Sequence, residues 1–528
     1  MKKYFAFSIF SMWSALMLAQ AGLEPVVLPD ATARKISSDG KWVACYGMAI
    51  EAYNVENKET HIYPECSLGV GNAVALDGTI VGSQEDGSVF MKKGEIIIPE
   101  ILEPYGVTGI NAITPDGSRI TGYLRNPVLN DNYEGDPFDG ATIVFLPFYA
   151  ELTASGTIEK INILPYPKKD FLGYSPMYVT GDWISADGKT ILGKMTDSFG
   201  RFEDPVVFHE NNNGEWSCST PTKEFNNPNG IVLPENPWNK GPEEPLVKNY
   251  MSELRYQAYL EAVEKSLFGG PEPNPLNYMS EEMAQKYLAD CEEYENYYIE
   301  HRGELDAYEQ AYREILYTST FFTESALNPN GNTFATSGVY YDEEGTGAPS
   351  KVYIFNIETG KYQKLESKYS GLKIHQVLTD GTVIAYTGLF TYDILNGYIL
   401  LPGAADFIPF SEYLASVNPG YSEWLEDIFP KGEGIISASD DLTVIAGGVD
   451  RLHMNDDNDE LFPESTILSY VLPLIKEAGI ESIEIPDSDG IFKVYNLLGV
   501  KVLETKDKSE IQNLNKGIYI VNGKKIAL

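Results

Sequence analysis

Apolar and polar positions alternate in short runs along this chain, and one arrangement recurs seven times. The copies stand at Ile36–Gly47, Ala73–Gly82, Ala112–Gly122, Ile184–Gly193, Ala326–Gly338, Val377–Gly388 and Ile436–Gly447. Each has a short apolar approach, an Asp-Gly, Asn-Gly or Asp-Asp turn, an apolar run and a closing Gly. Asp-Gly between alternating runs is a strong hairpin signal, because its backbone readily enters the φ > 0 regions that a tight reversal needs. The motif therefore predicts two strands, A and B, about each turn.

A second ribbon follows several copies. Met48–Val55 and Thr60–Pro64 flank Glu56-Asn57-Lys58, and Ser88–Met91 and Glu95–Ile98 flank Lys92-Lys93-Gly94. Lys351–Ile357 and Tyr362–Leu365 flank Glu358-Thr359-Gly360, and Gly388–Ile394 and Tyr398–Leu401 flank Asn396-Gly397. These supply strands C and D. Four-stranded antiparallel units repeated about a ring make a β-propeller, which limits open sheet edges. The pattern predicts a mainly β chain with a seven-bladed propeller over 22–476. Val26-Val27-Leu28 is placed to close the ring against the last blade. The third to fifth intervals are wide enough to leave six or eight blades open.

Thr114-Pro115-Asp116-Gly117-Ser118, Ser185-Ala186-Asp187-Gly188-Lys189 and Asn328-Pro329-Asn330-Gly331-Asn332 resemble the WD40-like PD40 repeats of TolB-type propellers. That resemblance implies architecture alone, since such repeats serve enzymes, receptors and scaffolds. A sialidase Asp-box separates Asp from Gly by one residue, whereas here they are adjacent.

The long segments fill B–C connections (Tyr123–Gly140, Tyr340–Pro349, Asp450–Ser465) and D–A connections (Tyr166–Asp182, Pro221–Tyr317, Pro402–Gly434). In a propeller both kinds emerge on one face, and long loops on a rigid scaffold are where binding resides. Arg125, Arg201 and Arg451 lie at or beside B–C connections, and Tyr133 and Tyr340 lie in the long B–C segments. The arginines suit an anionic sugar or a peptide carboxylate, or else pair with nearby acids.

Within the largest insertion, 246–317 predicts a helical hairpin: one helix near Tyr250–Phe268, a Gly269-Gly270-Pro271 break, and a second near Ser280–Leu316. The second carries Met283, Tyr287, Cys291, Tyr294, Tyr298, His301, Leu305, Tyr308, Tyr312 and Ile315 in steps of three and four, one continuous face. Either this stripe is buried against the neighbouring helix and the propeller, or it is an aromatic lid whose Tyr294 and Tyr298 meet a sugar or peptide.

Residues 479–528 change character. Phe492–Val502 reads strand, turn, strand, and Ile511–Ile526 repeats that plan. Val494-Tyr-Asn-Leu-Leu-Gly499, Leu514-Asn-Lys-Gly517-Ile-Tyr519-Ile-Val521 and the basic Lys524-Lys525 end resemble the C-terminal sorting domain of the type IX secretion system. The resemblance implies a small β-sandwich, recognition by export machinery, and release or attachment at the cell surface. At the other end, Lys2 and Lys3, the apolar Tyr4–Leu18 and Ala19-Gln20-Ala21 read as a signal peptide over 1–21. No later stretch approaches the roughly 18 apolar residues of a membrane span.

Charge narrows the partners. With 39 basic and 77 acidic residues the formal charge is −38, which repels phosphate backbones and argues against nucleic acid. Four cysteines are too few for a disulfide framework, although Cys45 and Cys66 are near enough in sequence to pair. Catalytic signatures are absent: no Gly-x-Ser-x-Gly, His-Glu-x-x-His, Cys-x-x-Cys or phosphate-binding loop occurs. Asn130–Asp136 and Asn455–Glu460 cluster oxygen ligands of the kind calcium prefers, with Asp457 and Asp459 the best placed; solvated acidic loops are the plainer reading. No other cofactor is indicated. The expectation is a secreted propeller that binds a protein or glycan without catalysis. A carbohydrate- or peptide-active enzyme using loop-face carboxylates, or a structural component of a surface assembly, are the alternatives.

Overall fold

The computed structural model describes residues 25–527 apart from 30, 48, 68–72, 85–86, 106–107, 129–142, 154–155, 198–202, 235–236, 238–240, 268–270, 340–350, 388–395, 429–433, 453–464, 475–490, 497–500, 513, 515–517 and 522–523. The chain is mainly β and divides into two units, one of residues 1–225 with 320–528 and one of residues 226–319.

In the first unit each sequence motif seeds a group of antiparallel strands, called here a sheet; the third, fourth and fifth groups are joined into one 13-stranded sheet through single pairings of Phe145 with Tyr178 (parallel) and Glu203 with Phe322. The first motif gives Ala31–Ile36, Trp42–Gly47, Ala49–Asn54 and Thr60–Pro64, paired in chain order. The third gives Thr108–Ile113, Arg119–Arg125, Phe145–Leu152 and Ile158–Ile163. The fifth gives Phe321–Leu327, Thr333–Val339, Lys351–Asn356 and Tyr362–Glu366, with the second ribbon turning at Glu358-Thr359-Gly360 as expected. The second motif shows only isolated bridges, Ser67 to Ser83 and Val74 to Ile80, ahead of a three-stranded sheet.

Two local expectations need correcting. Asn396-Gly397 is not a turn: it opens the strand Asn396–Leu400, which pairs with Val383–Thr387, and the fourth strand of that sheet is Ile408–Pro409. The reversal falls instead at 401–407, where Gly403 takes φ +78°. Tyr178–Val179, counted in the sequence as part of an insertion, pairs with Thr196 and Met195 and belongs to the fourth sheet.

Four of the turns share one hydrogen-bond scheme. Ser37 Oγ donates to Asp39 Oδ1 (2.7 Å) and accepts from the Trp42 amide (3.0 Å). Ser185 with Asp187 (2.6 Å) and Ser439 with Asp441 (2.8 Å) repeat it, and Thr114 with Asp116 (2.6 Å) does the same. The residue before the Asp then links one turn to the next. The Leu76 amide donates to Pro115 O, Ala186 to Pro329 O, and Asp440 to Ser38 O. Pro115 and Pro329 stand where only an acceptor is used, so their missing N–H costs nothing.

Successive sheets pack face to face, each pair sharing one core. Ala44, Ile50 and Tyr63 of the first sheet cluster with Val74, Ile80 and Met91 of the second. Leu192 and Val207 of the fourth cluster with Phe322, Phe334 and Phe355 of the fifth. The series returns to its start: Ala33, Val43 and Tyr53 of the first sheet share a core with Ala446 and Val471 of the last. Val26–Pro29 also pairs antiparallel with Ser465–Pro473, in the register Val26 to Val471, as the sequence predicted. Gly40, at φ +73°, sits where a Cβ would lie 2.9 Å from Val444 Cγ2, so both conformation and space demand glycine. Between the sixth and seventh sheets two helices, α1 (Phe410–Val417) and α2 (Pro419–Ile428), add Phe410, Tyr413, Leu414, Tyr421 and Leu425 to the core.

The second unit is helical. It holds α3 (Glu253–Leu267), α4 (Glu281–Glu300) and α5 (Arg302–Thr318). The expected single long helix is therefore two, parted at His301 (φ −99°, ψ 16°), whose amide and Nδ1 both meet the Tyr297 carbonyl while Gly303 weakens the turn that follows. Ser280 caps α4, accepting from the Met283 amide.

Strands Phe492–Asn496, Lys501–Thr505, Ile518–Val521 and Lys524–Ala527 form one antiparallel sheet around Phe492, Val494, Ile511 and Val521. Cys45 and Cys66 are both free thiols. Cys45 belongs to the core shared with the last sheet and Cys66 to the core shared with the second, so they pack in different layers.

Candidate functional site: a lysine-bearing cavity among the first strands

Residues one and two places before four of the motifs lie on or beside the first strands of their sheets, and they meet at one cavity of about 100 Å³. Lys35 comes from the first sheet, Asp182 and Trp183 from the fourth, Glu324 and Ser325 from the fifth, and His375 from the sixth. Drug-sized sites run to roughly 300–1,000 Å³, so this space suits an end group or a small molecule.

Lys35 is the unusual member. Its side chain is 8% exposed and its Nζ has no hydrogen-bond partner among the described residues. The ammonium lies 3.8 Å from the centre of the Trp183 ring. Burial lowers its pKa to about 7, against an opposing pull from Glu324. The other charged groups, except Glu324 at the mouth, have polar partners of their own. Asp182 accepts from Asn111 Nδ2 (2.8 Å) and Thr180 Oγ1 (3.0 Å), while burial pushes its pKa up to about 6. Lys194 Nζ reaches Glu203 Oε1 at 2.6 Å; burial opposes its charge, but Asp182 and Glu203 outweigh that and raise its pKa. Thr222 Oγ1 donates to Asp204 at 3.4 Å.

His375 Nε2 lies 3.3 Å from Arg34 O, and burial, reinforced by Lys35, holds its pKa well below the usual range. Tyr386 is pushed up to about 12 by burial and by Glu324. Glu324 itself is exposed, marking the mouth.

The residues singled out from sequence lie elsewhere. Arg125 ends its strand opposite Phe145 and does not line the cavity, and the Arg451 backbone pairs with Thr466 in the last sheet. Tyr133, Arg201, Tyr340, Asp457, Asp459, Gly499 and Gly517 fall outside the described residues. Among the described residues no group of His, Cys, Asp or Glu is arranged to hold a metal ion. Tyr294 and Tyr298 do meet, edge to face at 4.7 Å, and both are half-buried. Gly241 lies so near Tyr297 and Tyr298 that a Cβ there would fall 2.7 to 2.8 Å from their atoms, so this part of the stripe is covered within its own unit. Tyr519 packs against the C-terminal core, and Lys524 and Lys525 sit in the last strand opposite Val521 and Ile520. The cavity itself was missed. Its signal was available: Lys35, Trp183 and Ser325 stand one residue ahead of their motifs, and Asp182, Glu324 and His375 stand two ahead.

No family model and no curated protein matches this chain. Solved structures do resemble it. Oligogalacturonate lyase from Vibrio parahaemolyticus shares 9% identity at a TM-score of 0.40, covering 84% of this chain and 90% of its own. Hydrazine synthase of Kuenenia stuttgartiensis shares 10% at 0.36, covering 80% and 92%. TolB from Acinetobacter baumannii shares 9% at 0.27, covering 82% and 64%. At these values neither activity nor ligand transfers to this chain.

Proposed function

We propose that this chain is an exported seven-bladed β-propeller that binds a protein or glycan, with an end group of the ligand seated in the cavity at Lys35. The cycle of shared cores supports the ring, as does contact across it: Lys35 of the first sheet lies over Trp183 of the fourth, three sheets on. The observation that carries binding is the buried, unpartnered Lys35 amine facing a cavity built from four first strands. A buried polar group lacking a partner is costly, and a ligand relieves that cost.

A glycan and peptide array probed with the mature protein tests this. Retention of a ligand that weakens at least tenfold in Glu324→Lys is expected, since Glu324 is exposed and its replacement spares the core. Retention that Glu324→Lys leaves unchanged would place binding elsewhere. A catalytic reading draws on Asp182, whose pKa near 6 suits a proton donor. Turnover of an array ligand that Asp182→Asn abolishes would favour it.

Export is the second half of the proposal. It draws on the leader over 1–21, on the sorting-domain resemblance of 479–528, and on a C-terminal sheet with its own core. Truncation after Leu474 in a host with type IX machinery should retain the protein in the periplasm. Unchanged release would remove the sorting role.

A further inference from the structure

We propose that Lys35 is a reactive amine that captures an aldehyde group of the ligand as an imine. This rests on the reading that a ligand end group enters the cavity. The alternative use of a lone lysine is to hold an anion, and the surroundings oppose it. From the fourth sheet come Asp182, Glu203 and Asp204 with Lys194, from the fifth Glu324, and from the sixth His375 and Tyr386; Arg34 neighbours Lys35 on its own strand. Four carboxylates thus face two lysines in the lining. Like charges about 4 Å apart in a partly shielded site repel by about 4 kcal/mol, so a neutral electrophile enters more easily than an anion.

The amine is suited to attack. Among the described residues its Nζ donates to nothing and no carboxylate lies within 4 Å, so neither a hydrogen bond nor an ion pair holds the proton on it. The indole of Trp183 covers one side of it, excluding water there, although the ring face also attracts the ammonium form. Burial brings its pKa to about 7, which leaves a large neutral fraction at neutral pH, whereas an exposed lysine has almost none.

The chemistry balances without an oxidant or reductant. The nitrogen lone pair forms a bond to the carbonyl carbon as the C=O π pair moves to oxygen, and a proton passes from nitrogen to that oxygen. The C–O bond of the carbinolamine then breaks, nitrogen gives up its second proton, and one water leaves. Glu324 offers a negative charge to the iminium cation that exists between departure of the hydroxyl and loss of the second proton from nitrogen.

The test is reductive trapping on the mature full chain. Protein is incubated at pH 7 with glycolaldehyde or with a reducing disaccharide, reduced with cyanoborohydride, and mapped by peptide mass spectrometry. The adduct should form on Lys35 at least tenfold faster than on the exposed Lys58 and Lys93, with a pH midpoint near 7. Lys35→Arg and Lys35→Met should both lose it while keeping a cooperative melt. Labelling by glycolaldehyde alone indicates a small free aldehyde, and labelling by the disaccharide indicates a reducing end; either supports capture. Labelling of Lys35 no faster than Lys58 by both reagents overturns it. Array binding that survives this failure leaves the binding reading standing, and trapping without array binding removes that reading alone.

Discussion

The stacked sheets and the helical insertion are held together by different means. Among the described residues each hydrophobic core cluster lies in the sheets with helices α1 and α2 or in the C-terminal sheet, and none includes a residue from 226–319. The insertion buries Tyr250, Met279, Leu305, Tyr308 and Ile315 and otherwise relies on tyrosine edges and polar contacts. Tyr250 combines the two, meeting Tyr287 edge to face at 5.1 Å and donating to Asp290 Oδ2 at 2.6 Å. Apolar layers make a body intolerant of lost volume, whereas a helix surface joined by single polar contacts loses them one at a time.

The largest expected effect is therefore in the sheets. Phe334 is fully buried and stacks on Phe355 at 4.8 Å with rings 4° from parallel. Phe334→Ala should cost about 3–5 kcal/mol of unfolding free energy in urea. A cost below about 1 kcal/mol would mean the layers are not close-packed.

Next comes Lys35→Met, which should stabilise the protein by on the order of 2–4 kcal/mol at pH 7. The folded pKa lies below the unfolded one, so folding disfavours the charged form. That penalty is absent above pH 10.5, grows as pH falls towards about 7, and is constant below. The stabilisation from Lys35→Met should follow the same course in unfolding free energies measured from pH 6 to 11. A gain that does not vary with pH would show that the amine is not the cause.

Gly40→Val probes the join between first and last sheets. The left-handed backbone and the contact with Val444 together predict a loss of about 1–3 kcal/mol, read from the thermal midpoint. The same substitution at Gly94, which also has positive φ but nothing within 4 Å of its Cβ, separates strain from crowding. Smallest is Tyr250→Phe, about 1 kcal/mol, expected only as faster amide exchange in peptides from α4. Loss of protection throughout the sheets would contradict the contrast between the two units.

Much of the β architecture was readable because the hairpin signal is local. Asp39-Gly40 or Asp187-Gly188 fixes a reversal with its own side-chain hydrogen bonds, wherever the sheet later packs. Asn396-Gly397 misled for the complementary reason: a dipeptide that suits a turn joined a strand once Val383–Thr387 offered it a pairing edge. The break at His301 also escaped, since the apolar stripe continues through it while the backbone does not. The cavity depends on residues up to 351 positions apart, Lys35 and Tyr386, and no local pattern reports such a meeting. What was legible was the common offset of these residues from their motifs, and aligning the copies one step upstream would have exposed it.

The Thr320 amide donates to Phe225 O, and Ser319 Oγ donates to Asn226 O, so the chain leaves the sheets and re-enters them at one point. The entropy of such an excursion grows only slowly with its length. This junction is a natural socket. Cargo grafted between Phe225 and Thr320, a fluorescent reporter or a foreign epitope, need only have neighbouring termini to ride on the folded sheets.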